Sequence, residues 1–176
     1  CLSSNVLALD PNSLSKDDIT IDADSASIKF FKSEYIPYLK KVKKLKFYSL
    51  SYHNISVFPE NPHKFPDLSQ LTNITELELF NIKATDLSAI GKLKQLEKLT
   101  LDSNPVEDLS FISELSNLKE LEFSHMDISD LTFLSTLTKL EHLSIYDWED
   151  DETFSLAPVS NLISLKYLVI RNRKFT

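Results

Sequence analysis

Between Leu71 and Tyr146 the sequence returns to itself every 22 residues. Ile74, Leu96, Leu118 and Leu140 open successive copies of an L-x-x-L-x-L phrase. Leu77, Leu99, Leu121 and Leu143 continue it, and Leu79, Leu101, Phe123 and Ile145 close it. Each copy also has a second half, spelled Leu87, Ile90, Leu93, then Leu109, Ile112, Leu115, then Leu131, Leu134, Leu137. A fixed period of this length commits the chain to stacking like units on one another.

One copy shows why it must be repeated. In "LEKLTLDSN" the apolar residues Leu99 and Leu101 alternate with polar ones, which is strand periodicity with one face buried. In "PVEDLSFISEL" the apolar residues Leu109, Ile112 and Leu115 fall three apart, which suits a short 3₁₀ or α turn. A buried Leu or Ile contributes about 1.5–3 kcal/mol, against about 1–2 kcal/mol for ordering each residue. A lone copy, with no second layer to bury its apolar groups against, therefore gains little, and neighbouring copies must supply the stability. The fold expected is a leucine-rich repeat solenoid of the α/β class, with a parallel sheet on one side and 3₁₀ or short helical turns on the other.

Residues 1–41 precede the repeats and are expected to form an N-terminal helical cap, with 42–176 a solenoid of six repeats in a single domain. Within the cap, Val6–Leu9 and Ile19-Thr20-Ile21 read as short strands. From Asp24 or Ser25, the residues Ile28, Phe31, Tyr35, Ile36 and Leu39 have helical spacing, and Pro37 predicts a helix end near Tyr35. The first repeat carries Val42, Leu45, Phe47 and Leu50, and the next begins 32 residues after Val42, at Ile74. The excess lies in a stretch broken by Pro59, Pro62 and Pro66. A smaller insertion, "DWEDDET", precedes the last repeat, whose strand is marked by Leu165, Leu168 and Ile170. Beyond it lies only a short run with Arg171, Arg173 and Lys174, so this edge is either blunted by charge or available for self-association.

Composition removes several function classes. The net charge of −7 is spread over both signs, which argues against a nucleic-acid partner. A single glycine, Gly91, leaves no way to write a glycine-rich phosphate loop. No apolar run is long enough for a transmembrane segment. The one cysteine, Cys1, can make no internal disulfide. "Cys1-Leu2-Ser3-Ser4-Asn5" looks like the start of a bacterial lipoprotein, whose first cysteine carries the lipid. The alternative is a chain boundary that happens to fall on cysteine.

The period, together with the phrase Asn104-x-Val106-x-Asp108-Leu109-Ser110, resembles the internalin type of bacterial leucine-rich repeat protein over about residues 39–173. The resemblance implies a curved parallel sheet on the concave side of a right-handed arc, and binding of another macromolecule, often a protein. One slot departs from that family's pattern. Where the family holds an asparagine in each copy, this chain has Leu50, Ile82, Asn104, Met126, Trp148 and Arg173. The backbone groups that those amides would satisfy need other partners.

Strand alternation puts the residues flanking each buried pair on the open face, in columns about 4.8 Å apart. The first column reads Lys44, Glu76, Lys98, Glu120, His142, Tyr167 and the second Lys46, Glu78, Thr100, Glu122, Ser144, Val169. The third reads Tyr48, Phe80, Asp102, Ser124, Tyr146, Arg171, and a fourth at the strand exits includes Ser49, Asn81, Ser103, His125, Asp147 and Asn172. Charge alternation in the first column supports strand pairing. Tyr48, Phe80 and Tyr146, beside Glu76, Glu78, Glu122 and Asp102, have the character of a protein-binding patch unless the 51–63 insertion covers them. Tyr167, Asp147 and Trp148 complete the candidate partner-binding set, although Trp148 could instead fill core space. The acidic run around Asp150 could meet a basic partner or lie solvated, and the lysines between Lys40 and Lys46 could steer an acidic partner, sit near anionic headgroups or lie solvated.

Catalytic constellations are weak. Ser124, His125 and Asp147 supply the residue types of a hydrolytic triad, but Ser124 and His125 are successive residues and no oxyanion-hole sequence accompanies them. His53, His63 and His142 show no metal-ligand spacing. The glutamate pairs stand on an open sheet that does not raise a carboxyl pKa. The expectation is therefore a non-enzymatic protein without metal or cofactor, recognising a protein through its concave face, bacterial and envelope-associated if Cys1 is lipidated and cytoplasmic otherwise. The alternative is a soluble inhibitor or immunity-type protein that caps a basic toxin or enzyme.

Overall fold

The structure is a computed structural model that describes residues 18–22, 33–49, 63–126, 128, 130–146, 153–171 and 174–175. Its strands are β1 (Asp18–Asp22), β2 (Lys44–Tyr48), β3 (Glu76–Phe80), β4 (Lys98–Asp102), β5 (Glu120–Ser124), β6 (His142–Tyr146), β7 (Thr153–Phe154), β8 (Tyr167–Arg171) and β9 (Lys174–Phe175). Seven of them form one sheet in the order β1-β2-β3-β4-β5-β6-β8, parallel throughout. This is a leucine-rich repeat solenoid, with the open sheet face as its concave side.

The register between copies is the repeat itself. Leu77, Leu99, Leu121 and Leu143 pair across adjoining strands, as do Leu79, Leu101, Phe123 and Ile145. All eight are at most 2% exposed. Between strands the chain returns through 3₁₀ turns at Ser88–Lys92, Ser110–Glu114, Thr132–Thr136 and Ala157–Asn161. Their three-residue hydrogen bonds match the apolar spacing: Ile90 N–H donates to Leu87 O and Leu93 N–H to Ile90 O, both at 2.9 Å. Each turn thus brings its three apolar residues onto the side that faces the sheet. Phe123 meets the return half edge-on at Phe133, with ring centroids 5.9 Å apart, and Phe47 meets Phe65 likewise at 5.8 Å.

Copies are also joined at both strand ends. The carbonyl of Thr75 accepts the N–H groups of Glu97 and Lys98, that of Glu97 those of Lys119 and Glu120, and that of Lys119 those of Glu141 and His142. At the exits, Asn81 N–H donates to Asp102 O, Ser103 N–H to Ser124 O and His125 N–H to Tyr146 O. Asn81, Ser103 and His125 all take left-handed backbone, with φ of 52°, 54° and 52°. That conformation turns the chain off the sheet at the same point in these three copies.

One cap expectation is met and extended, and two features differ from the sequence expectation. The run Ile19-Thr20-Ile21 does form a strand, β1, and it extends the repeat sheet by pairing with β2. Pro37 does not end a helix near Tyr35; it lies inside a 3₁₀ helix, Ser33–Leu39, that buries Ile36 and Leu39. Proline's fixed φ is compatible with 3₁₀ geometry. The residues expected to begin that helix, among them Ile28 and Phe31, lie outside the described residues. The chain beyond the last repeat strand also continues into β9, which pairs with β7.

Candidate functional site

Parallel pairing without a register shift fixes the open face. The first three columns read from the sequence lie in line, from Lys44 to Tyr167, Lys46 to Val169 and Tyr48 to Arg171. Within them Glu76, Glu78, Phe80, Asp102, Glu122 and Tyr146 are half-buried, as is Tyr48, while Tyr167 is 63% exposed. Asp147, Trp148 and Cys1 lie outside the described residues, as do residues 51–62 of the insertion that is the alternative cover for Tyr48 and Phe80.

Charge is arranged unevenly along this face. At the β2–β3 end Lys44 reaches Glu76 at 3.5 Å and Glu78 at 2.8 Å, and Lys46 reaches Glu78 at 3.4 Å. Burial would raise the Glu78 pKa, but the hydrogen bond and charge of Lys44, with Lys46 behind it, hold the carboxyl below its usual range. In mid-sheet Lys98 binds Glu120 at 2.9 Å, and that hydrogen bond raises the lysine pKa. His142 Nδ1 stands 3.8 Å from the same carboxylate. These pairs are partly exposed, so each contributes at most about 1 kcal/mol.

The aromatic groups are not bare. Lys46 Nζ lies 4.3 Å from the centre of the Phe80 ring, and the Arg171 guanidinium 5.7 Å from that of Tyr146. Tyr167 packs edge-on against His142, centroids 4.6 Å apart. Between β4 and β8 the face sinks into a hollow of about 360 Å³ lined by Lys98, Thr100, Glu122, His142, Ser144 and Tyr167, among others.

His125 Nδ1 stands 3.3 Å from Oδ1 of Asp102, on the preceding strand; Asp147, the neighbour expected from the sequence, lies outside the described residues. Ser124 is only 7% exposed, and the half-buried Ser103 donates its hydroxyl to Asp102. Among the described residues no group of three or more acidic, histidine or cysteine side chains could hold a metal ion.

A further device repeats at the entries to the return turns. Asp67, Asp86, Asp108 and Asp130 each accept the N–H of the residue two positions on, at 2.8–2.9 Å, where a return turn begins. Asp67 also binds Lys92 at 2.6 Å, and that bond, ahead of the Ser69 contact, brings its pKa to about 2. The other three carboxyls are lowered mainly by hydrogen bonds from Ser88, Ser110 and Thr132. The signal was present in the recurring Asp-Leu-Ser/Thr triplet.

No protein-family model matches the chain, and no curated protein matches it. Solved structures do. Internalin C2 from Listeria monocytogenes superposes with a TM-score of 0.57 at 23% identity, over 79% of this chain and 56% of that one. The mouse RP105/MD-1 complex gives 0.63 at 19% identity, over 90% of this chain and 26% of the other. The TLR13–ssRNA13 complex gives 0.56 at 17% identity, over 90% and 25%. The chain has the fold of a leucine-rich repeat protein. It spans little more than half of the internalin and about a quarter of the two receptor chains. Its sheet presents a continuous surface of side chains from adjoining strands. No helix among the described residues is long and apolar enough to cross a membrane.

Proposed function

We propose that this chain is a non-catalytic recognition module that binds another protein on the concave face of its sheet. The supporting observation is Phe80 and Tyr146 in line on one face, with Glu76, Glu78, Glu122 and Asp102 around them and exposed Tyr167 at the margin. Large rings among charged groups supply contact area at low entropic cost and polar groups to fix orientation. A nucleic-acid strand is the less favoured ligand, because a phosphate backbone would meet these carboxylates on a chain of net charge −7.

Capture from a native extract tests this reading. The Phe80→Ala, Tyr146→Ala double variant is expected to lose the proteins retained by the wild type, and Ser116→Arg, on an exposed turn away from the sheet, to keep them. Equal capture by all three forms would sink the reading.

Self-association through β8 is a second reading, favoured by Ile163 at 83% and Leu168 at 43% exposure. It expects a molar mass that rises with concentration and stays monomeric in Leu168→Lys; a monomer throughout would end it.

A further inference from the structure

Two glutamates occupy the second column, in unlike surroundings. Glu78 lies between Lys46 and Thr100 and is held by Lys44 and Lys46. Glu122 lies between Thr100 on β4 and Ser144 on β6, and no cation among the described residues pairs with it. The nearby bases are engaged elsewhere, Lys98 with Glu120 at 2.9 Å and His142 near that carboxylate at 3.8 Å. Glu122 is therefore a carboxylate of the face that no described cation compensates.

Its neighbours explain the hollow. Thr100 and Ser144 are short, so the sheet dips on both sides of Glu122, while Lys98, His142 and Tyr167 of the first column also line the hollow. Thr100 is only 5% exposed, and among the described residues its hydroxyl has no hydrogen-bond partner. Every fully buried side-chain nitrogen or oxygen among the described residues has a partner. The Thr100 hydroxyl is therefore not sealed in; it opens into the hollow that it lines.

We propose that this hollow receives the cationic side chain, lysine or arginine, of a basic partner protein, with Glu122 as counter-ion and Thr100 and Ser144 as acceptors. The proposal rests on the protein-binding reading of the face and names the chemistry of the partner. An ammonium carries three donors and a guanidinium five, neither with an acceptor, so each needs converging oxygens. Three adjacent strands supply them, about 4.8 Å apart. An anion would meet the Glu122 charge with Lys98 already committed, and an apolar group would desolvate that carboxylate without pairing it. Tyr167 offers a ring edge and face beside the entrance for the alkyl stem or the guanidinium plane.

Fluorescence anisotropy with labelled hexalysine, hexaarginine and hexaglutamate tests this on the full chain. The controls are Glu122→Gln and Glu107→Gln, since Glu107 is an exposed carboxylate off the sheet whose loss changes net charge equally. Wild type is expected to bind one or both cationic peptides and not hexaglutamate, and the tighter peptide identifies lysine or arginine. Glu122→Gln is expected to weaken that binding about fivefold or more, Glu107→Gln less than about twofold, and Glu122→Asp to retain most of it. Equal weakening by both Gln variants, no weakening by either, or no cationic binding by wild type would each overturn the proposal. The capture experiment with Phe80 and Tyr146 does not depend on this charge. Face-dependent capture without Glu122 dependence would remove the cation site and leave the protein-binding reading standing.

Discussion

Asn104 joins two coils through its side chain: its amide nitrogen donates to Leu79 O and Asp102 O, both at 2.9 Å, and its oxygen accepts Ile82 N–H at 3.1 Å. It is 3% exposed. Asn104→Ala strands those buried groups and is expected to cost about 2–3 kcal/mol in urea unfolding, against about 1 kcal/mol or less for exposed Asn73→Ala. The aspartates at the turn entries set an acid limit. Their folded pKa values are depressed, so the stability they contribute is present above the unfolded value, about pH 4. It is lost as pH falls, with Asp67 the last to protonate at about 2. The melting temperature is expected to hold between about pH 7 and 5 and to drop below about 4. Asp→Asn at all four positions should flatten that drop, and an unchanged acid limb would reject the assignment. The lone amide at 104 was legible because the neighbouring copies place Ile82 and Met126 in its slot. The left-handed exits at Ser103 and His125 were not, since neither residue type announces that conformation.

At the scale of the element, each strand buries alternate residues against its return turn. Leu121, 2% exposed on β5, sits between Leu99 and Leu143. Leu121→Asp is expected to cost about 4 kcal/mol or more and to abolish the far-ultraviolet circular dichroism of the fold, whereas Glu120→Asp beside it should not. An unchanged spectrum for Leu121→Asp would contradict the core assignment. Gly91 shows how closely the turns stack, because a Cβ there would lie 3.2 Å from Phe111 O. Strand positions and register were readable because a constant period with no shift leaves one way to align the copies. The return turns followed from three-residue apolar spacing. The N-terminal helix did not, since helical spacing alone could not say that Pro37 would be accommodated in a 3₁₀ segment.

For the molecule as a whole, the repeat makes a layered core and an open sheet in the same act. The columns of the face follow from the sequence for that reason. What stands over each column did not follow, because Lys46 leaning on Phe80 and Arg171 on Tyr146 are choices of side-chain direction. Nor did the contrast between Glu78 and Glu122, which depends on which lysines reach across strands. The central claim is that contact with a protein partner occurs on this face. Hydroxyl-radical footprinting of the chain alone and with its captured partner tests it directly. The expected result is loss of oxidation at Tyr146, Tyr167 and His142 with Tyr38, 52% exposed outside the sheet, unchanged. Protection of Tyr38 with the three face residues still oxidised would contradict it.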